Sequence, residues 1–350
     1  MNHKSRIFLI FLMISMLIAV SVSGCFDKPI TETNITDPIP AGNETPPTLP
    51  PNNTPPTPPV NNTTTSDNLS TPDQISVAAF NLQIFGQAKV NKTDAMDVIA
   101  QTIRRYDVVG IQEIRDASGT SLPKLMALIN SGTDENGNAY NYDYVVSDRL
   151  GRTTSKEQYA YIYDKNTVYV ASEPLVYPEP DGTDPFEREP YMVTFRSING
   201  SFDAVFILIH TKPDDAKKEI DELDTVVQYA KTIYIGQDNY VLMGDFNADG
   251  TYFNESGPSA LKSDEYVWLI GNEVVTTTIT NNTYDRIVIT KSLTPYFANQ
   301  SGAFNYSAEY GLNQSQTTNV SDHYPVYAVF WTAVTNWFRA IFSYTTGTTS

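Results

Sequence analysis

The chain has 350 residues, 41% of them hydrophobic, enough for one large core or two modest ones. Its formal net charge of -17 excludes a generally basic nucleic-acid binder and makes any contact with a polyanion local and salt-sensitive. The single cysteine, Cys25, excludes an intramolecular disulfide framework, thiolate metal sites and a cysteine nucleophile in the folded region.

Residues 1–25 read as a lipoprotein-type signal peptide. Lys4 and Arg6 precede an apolar run over residues 7–20, short for a membrane span and followed by small residues. Val22-Ser-Gly-Cys25 matches a lipoprotein processing box, so Cys25 is expected to become a lipidated N-terminus that anchors the exported protein at the cell surface. An ordinary secretory signal, releasing the protein, is the alternative. Residues 26–73 are Pro, Thr and Asn with almost no large apolar side chains. They cannot bury a core, and they read as a disordered stalk of polyproline II character, about 3.1 Å per residue where extended.

From Gln74 the pattern alternates strands and helices. Strands are expected over residues 75–81, 107–113, 159–163, 205–209, 240–243, 286–289 and 324–330. A helix is expected over residues 92–106, with Met96, Ile99 and Ile103 on one face. A longer one lies between His210 and Asp245, where Ile220, Leu223, Val227, Ala230 and Tyr234 repeat at helical spacing. Residues 74–330 therefore form one α/β domain. In the C-terminal tail, 331–350, Trp331, Val334, Phe338 and Ile341 are spaced to share the face of a short helix, expected to pack on the domain.

Beyond the extreme N-terminus the chain has two histidines, His210 and His323, each in a short polar motif at the end of an apolar strand. Either can accept or donate a proton near neutral pH. Each needs a carboxylate to fix its tautomer, and Glu157 and Asp285 are the candidates. Asn81, Glu113 and Asp322 supply hard oxygen ligands suited to Mg²⁺. Asp245 and Asn247, two apart after Gly244, point the same way at a strand end, towards phosphate or metal-bound water. A general acid, a general base and a divalent cation are what phosphodiester hydrolysis requires.

Phe80-Asn81, Gln112-Glu113, Gly244-Asp-Phe-Asn247, Tyr284-Asp285-Arg and Ser321-Asp-His323 resemble, in order, the motifs of the endonuclease/exonuclease/phosphatase superfamily. Within it the chain is most similar to the secreted deoxyribonuclease I group, through Tyr144-Val-Val-Ser-Asp-Arg-Leu-Gly-Arg, Lys156-Glu-Gln-Tyr and Phe186-Glu-Arg-Glu-Pro. The resemblance covers residues 75–330. It implies a four-layered α/β/β/α sandwich of two packed mixed sheets with flanking helices. It implies His210 with Glu157 as the general-acid pair, His323 with Asp285 as the general-base pair, and Asp245 with Asn247 orienting phosphate and water. Asn81, Glu113 and Asp322 resemble the shell of an active-site Mg²⁺ (or Mn²⁺). From the residues alone the two histidines remain interchangeable.

The resemblance also implies DNA contacts. Arg115 looks like a minor-groove arginine, with pairing to Asp116 as the structural alternative. Arg188 looks like a phosphate contact, or equally a structural ion pair. Arg149, Arg152, Lys156 and Lys212 would add a modest basic patch. Departures are Ser155, where the family often has a groove-binding tyrosine, and the missing cysteines, with Gly250 and Asn282 in the places of one bridge. Structural Ca²⁺ is expected to compensate, at Asp184, Phe186 (carbonyl), Glu189 and, more loosely, Asp181. A second calcium loop, residues 276–280, lacks a well-placed carboxylate. The expected activity is that of a metal-dependent endodeoxyribonuclease cutting extracellular double-stranded DNA with low sequence specificity, acting as a monomer with no protein partner indicated. A phosphatase or phospholipase-type phosphodiesterase on the same fold is the alternative.

Overall fold

The computed structural model describes residues 73–154 and 156–334. Cys25, the expected signal and stalk, Ser155 and the tail from residue 335 onward lie outside the described residues. Chain order is β1 (Gln74–Phe85), α1 (Gln87–Val90), α2 (Thr93–Ile103), β2 (Val108–Ile114), α3 (Ser121–Ile129), β3 (Tyr142–Val146) and β4 (Gln158–Asp164). Then come β5 (Val168–Val170), β6 (Leu175–Val176), β7 (Tyr191–Ser197), β8 (Asp203–His210), α4 (Ala216–Ile233) and β9 (Tyr240–Asp245). The last elements are β10 (Tyr266–Trp268), β11 (Asp285–Thr290), β12 (Phe297–Ala303), α5 (Tyr306–Glu309), α6 (Gln314–Val320) and β13 (Val326–Trp331).

β1 shows why the strands read so clearly. Along it side chains alternate between faces, and both faces are covered. Val77 and Ala79 enter one core with Tyr161, Phe206, Leu208 and Met243, between the two sheets. Ala78 and Phe80 enter another with Ile99, Ile103, Leu125 and Ile129, beneath α2 and α3. A third core forms where Ile220, Leu223, Val227 and Ala230 of α4 meet Ile207 and Ile209 of β8 and Leu242 of β9. Three cores separate four layers, so the expected α/β/β/α sandwich is the fold. At Gly110 the sheets come so close that a Cβ would sit 2.7 Å from Leu208 Cδ1 and 2.9 Å from Met243 Cε.

The first sheet runs β12-β13-β1-β2-β4-β3, and the second β10-β11-β9-β8-β7-β5 with β6 on β7. Each holds one parallel pair, β1 with β2 and β8 with β9. A parallel pair needs a crossover, supplied here by α2 and α4. The carboxyl ends of these four strands carry Asn81, Glu113, His210 and Asp245. Because Asn81 Nδ2 lies 3.0 Å from Asp245 Oδ2, the two pairs open at the same edge of the sandwich.

Trp331 corrects one expectation. It ends β13, opposite Gln74 of β1, so it does not share a helix face with the tail. Thr332 N then donates to Asp73 O at 2.8 Å. Where the family resemblance places a disulfide, Gly250 and Asn282 are indeed neighbours: a Cβ on Gly250 would lie 3.4 Å from Asn282 Nδ2. The link is polar instead. Asp249 Oδ2 accepts from Asn282 Nδ2 at 3.2 Å and from Thr283 N at 2.8 Å.

Candidate active site

His210 closes β8 and His323 follows α6, on opposite sides of a notch whose floor is Asp245. His210 Nδ1 lies 2.9 Å from Glu157 Oε2, and His323 Nδ1 lies 2.8 Å from Asp285 Oδ2. With Nδ1–H given to a carboxylate, each ring turns Nε2 into the notch. There the two meet the same atom: Asp245 Oδ2 is 3.6 Å from His210 Nε2 and 3.5 Å from His323 Nε2. Both histidines are buried.

Burial disfavours the charged form of every group here, and neighbouring charges decide what survives it. Burial would raise the Glu157 carboxyl, but the hydrogen bond from His210 and the charges of His210, Arg188 and Arg115 hold it at about 2. Asp245 is held below the usual carboxylate range by the two imidazoles, against burial. Burial lowers His323 and His210, but around His323 the carboxylates Asp285 and Asp245 win, and around His210 its bond to Glu157 does. Burial pushes Asp285 up. Asp285 and His323 are one tightly coupled pair, and the site's negative charge favours leaving the proton on His323.

The Glu157 shift has a consequence for folding. Its folded value, about 2, lies below the ordinary 4.5, so the unfolded chain binds this proton more tightly. The stability it confers is complete above pH 4.5 and is lost as pH falls toward 2. Glu157→Gln should flatten that part of the stability profile, measured as denaturation midpoints between about pH 2 and 7. Parallel profiles for both proteins would disprove it.

Asn81 Nδ2 donates to Glu113 Oε1 at 3.2 Å and to Asp245 Oδ2 at 3.0 Å. Asp322 Oδ1 lies 3.8 Å from His323 Nε2 and has no hydrogen-bond partner although buried. Asn247, at φ +47, donates its amide N–H to Asp245 Oδ1 at 3.0 Å and Nδ2 to Thr211 O at 3.1 Å. So all nine residues expected at the catalytic and metal positions come together at one edge.

A family model, Endonuclease/Exonuclease/phosphatase family, matches residues 78–323 of this chain. The chain belongs to this family. It is 37% identical over 264 residues to deoxyribonuclease gamma of Rattus norvegicus, covering 72% of this chain and 83% of that protein. It is 36% identical over 268 residues to deoxyribonuclease-1 of Oryctolagus cuniculus, covering 74% and 93%. A solved endonuclease/exonuclease/phosphatase family protein from Bacteroides thetaiotaomicron, 18% identical, superimposes with a TM-score of 0.50 over 73% of this chain and 97% of that one. As a member of the family the chain is a hydrolytic enzyme acting on phosphate esters.

A divalent cation fits this member's donor set. Asp245, Asp285 and His323 bring ligand atoms within 4.8 Å of one another, but Asp285 and His323 are spent on each other. The oxygens of Asn81, Glu113, Asp245 and Asp322 suit a hard cation better, and the unpartnered Asp322 Oδ1 is the kind of atom an ion would satisfy.

The expected DNA-contact arginines divide. Arg115 turns to the acidic groups of the site rather than to its neighbour Asp116: its Nη2 lies 2.8 Å from Glu157 Oε1 and 3.1 Å from Glu113 Oε2, with about a third of the side chain exposed. Asp116 instead accepts from Thr120 N and Ser121 N at the start of α3. Arg188 is buried; it donates to His210 O from Nη2 at 2.9 Å and to Thr211 O at 3.2 Å, with Nη1 3.5 Å from Glu157 Oε1. Arg149 and Arg152 lie in the β3–β4 loop. Arg149 holds Lys156 O at 2.8 Å, and Arg152 pairs with Asp184 at 2.7 Å. Lys212 pairs with Asp215.

Asp181, Asp184, Phe186 and Glu189 all fall in the loop between β6 and β7. Phe186 is buried against Tyr177, and its amide donates to Glu179 Oε1 at 3.0 Å. Burial, with the charges of Asp184 and Glu189, raises the Glu179 carboxyl, a residue the sequence did not single out. The loop over residues 276–280 closes on itself: Thr277 Oγ1 donates to Thr280 O at 2.8 Å. Its Thr276 Oγ1 accepts from Tyr284 N at 3.0 Å and Asp285 N at 3.2 Å, fixing the strand end behind His323.

Several supports were not singled out by the sequence as site residues. Tyr159 OH accepts from His210 N at 2.9 Å. Buried Lys89 donates to Leu82 O at 2.6 Å and Val320 O at 2.7 Å, and burial lowers its pKa to about 8 against the pull of Asp322. Ser321 Oγ donates to Asn81 O at 2.6 Å and accepts from His323 N at 3.1 Å. Ser321, inside Ser-Asp-His, and Tyr159, closing Lys156-Glu-Gln-Tyr, lie in motifs visible in advance; Lys89 does not.

Proposed function

We propose that this chain is a divalent-cation-dependent endodeoxyribonuclease that cuts double-stranded DNA with little sequence preference. One observation carries the reading: two imidazoles, each backed by a carboxylate on Nδ1, direct Nε2 at one oxygen of Asp245. A phosphodiester lodged above Asp245 would lie within reach of both. In its neutral form, with Nδ1–H held by Asp285 and the Nε2 lone pair facing the notch, His323 takes a proton from the attacking water. His210, oriented by Glu157, returns one to the leaving oxygen. Asn247 and Asp245 orient the scissile phosphate and the water. Asn81, Glu113 and Asp322 would hold Mg²⁺ or Mn²⁺, which when bound neutralises charge developing on the phosphoryl oxygens.

Arg115 and Arg188 share Glu157 Oε1 and so position the His210 pair. The exposed part of Arg115, with Arg149 and Arg152, offers phosphate or groove contacts on a chain otherwise acidic. Asp181, Asp184, the Phe186 carbonyl and Glu189 form a candidate structural Ca²⁺ loop, in which repulsion among the carboxylates supports a cation. The DNA substrate is supported by the deoxyribonuclease relatives. Export, and anchoring through a lipid on Cys25, rest on the N-terminal sequence. Gln74 pairs with Trp331 at the end of β1 away from Asn81.

Supercoiled plasmid incubated with the protein and Mg²⁺ should relax and then linearise, and EDTA should abolish this. Nicking that persists in EDTA would exclude the cation. Release of inorganic phosphate from monoesters with the plasmid intact would put a phosphatase in place of the nuclease.

A further inference from the structure

The end of β1 bends through two consecutive residues in the left-handed region, Gln83 at φ +39 and Ile84 at φ +54. For a β-branched side chain that conformation is costly, and it persists only where surrounding contacts enforce it. Packing of Ile84 is not the reason, because its side chain is 57% exposed. The pairing of β1 with β2 shifts register between Asn81 and Phe85, so these residues make no ladder bonds there.

What the turn does make is three hydrogen bonds. Gln83 N donates to Asn81 Oδ1 at 2.9 Å, Ile84 N donates to Glu113 Oε2 at 2.9 Å, and Gln83 Nε2 donates to Asp322 Oδ2 at 2.8 Å. Each falls on a different one of the three residues assigned above to the cation. They come from β1, β2 and the segment after α6, and this dipeptide touches all of them. Asp322 Oδ1 has no hydrogen-bond partner, so the Gln83 amide on Oδ2 is the direct bond that fixes the rotation of that carboxylate.

We infer that the Gln83–Ile84 turn is the positioning element of the cation site, with the Gln83 side chain setting its affinity through Asp322. The inference rests on the proposed function, since it presumes that Asn81, Glu113 and Asp322 hold an ion. Groups that orient metal ligands typically change affinity about 10–100-fold when removed. Ile84 contributes its backbone N–H, so its side chain is dispensable.

The test is Mn²⁺ binding by the full chain, followed by calorimetry and by the electron paramagnetic resonance of the bound ion, with circular dichroism as a check of folding. Glu113→Ala identifies which bound Mn²⁺ belongs to this site. Gln83→Met, which keeps the length of the side chain and loses its donor, should weaken that ion about 10–100-fold. Equal affinity in wild type and Gln83→Met overturns the inference. Absence of any Glu113-dependent Mn²⁺ in the wild type overturns the proposed function instead.

Discussion

Alanine at His323 or at His210 should slow plasmid nicking about 10²–10⁴-fold, the usual contribution of a general acid or base. The two variants should nevertheless differ in stability. Glu157 keeps Arg115 and Arg188 on Oε1 when His210 is removed, so its charge stays compensated. Asp285 is fully buried, and burial already pushes its carboxyl up. Without His323 it should take up a proton rather than remain an unpaired buried anion. His323→Ala should therefore melt lower than His210→Ala, and Asp285→Asn added to His323→Ala should cost little more. Nicking rates at saturating Mg²⁺, set beside thermal melts of the same preparations, check both statements. More than a tenth of wild-type activity in either single variant would remove that histidine from the mechanism.

What could be read in advance follows from how each element is buried. β1, β8, β9 and β11 are covered on both faces and therefore carry short, mostly apolar stretches. β12 is a half-exposed edge whose centre is Asn299-Gln-Ser301, with no apolar run to betray it. α6 is Gln, Ser, Thr and Asn up to a single buried Val320, and is held by an Asn313–Gln316 capping box rather than by a hydrophobic stripe. β7 does carry a strand-like run, Tyr191-Met-Val-Thr-Phe, which the periodicity alone left unassigned.

The site divides in the same way. Residues at strand ends sit in motifs that chemistry makes recognisable, and all of those reached the notch. Their supports come from positions remote in the chain, such as Tyr159 beneath His210, Lys89 between Leu82 and Val320, and Thr276 behind Asp285. No local pattern encodes such contacts. Arg115 shows the limit: adjacency suggested Asp116, whereas the fold delivers Glu157, 42 positions away.

Gly244→Ala should cost about 4 kcal/mol or more, the range reserved for overlaps the fold cannot relieve. Gly244 sits at φ +138, and a Cβ there would lie 1.9 Å from Ile209 O and 3.0 Å from Ile209 C, backbone atoms of the neighbouring strand. Relief requires β8 and β9 to part where Ile209 faces Gly244 and His210 faces Asp245. The strain therefore falls on the contact between His210 and the notch floor. At roughly 2–4 °C per kcal/mol, the melting temperature should fall by about 10 °C. Activity should fall further than stability, because a displacement of about 1 Å at the reacting centre costs on the order of 10²-fold. Gly137→Ala is the comparison. Its φ is also positive, at +83, but nothing lies within 4 Å of its Cβ position, so only the backbone preference is lost, about 1 kcal/mol. Equal melting temperatures for the two variants would show that β8 and β9 can separate freely at this point, and that the spacing between His210 and Asp245 is not set by the bare backbone of Gly244.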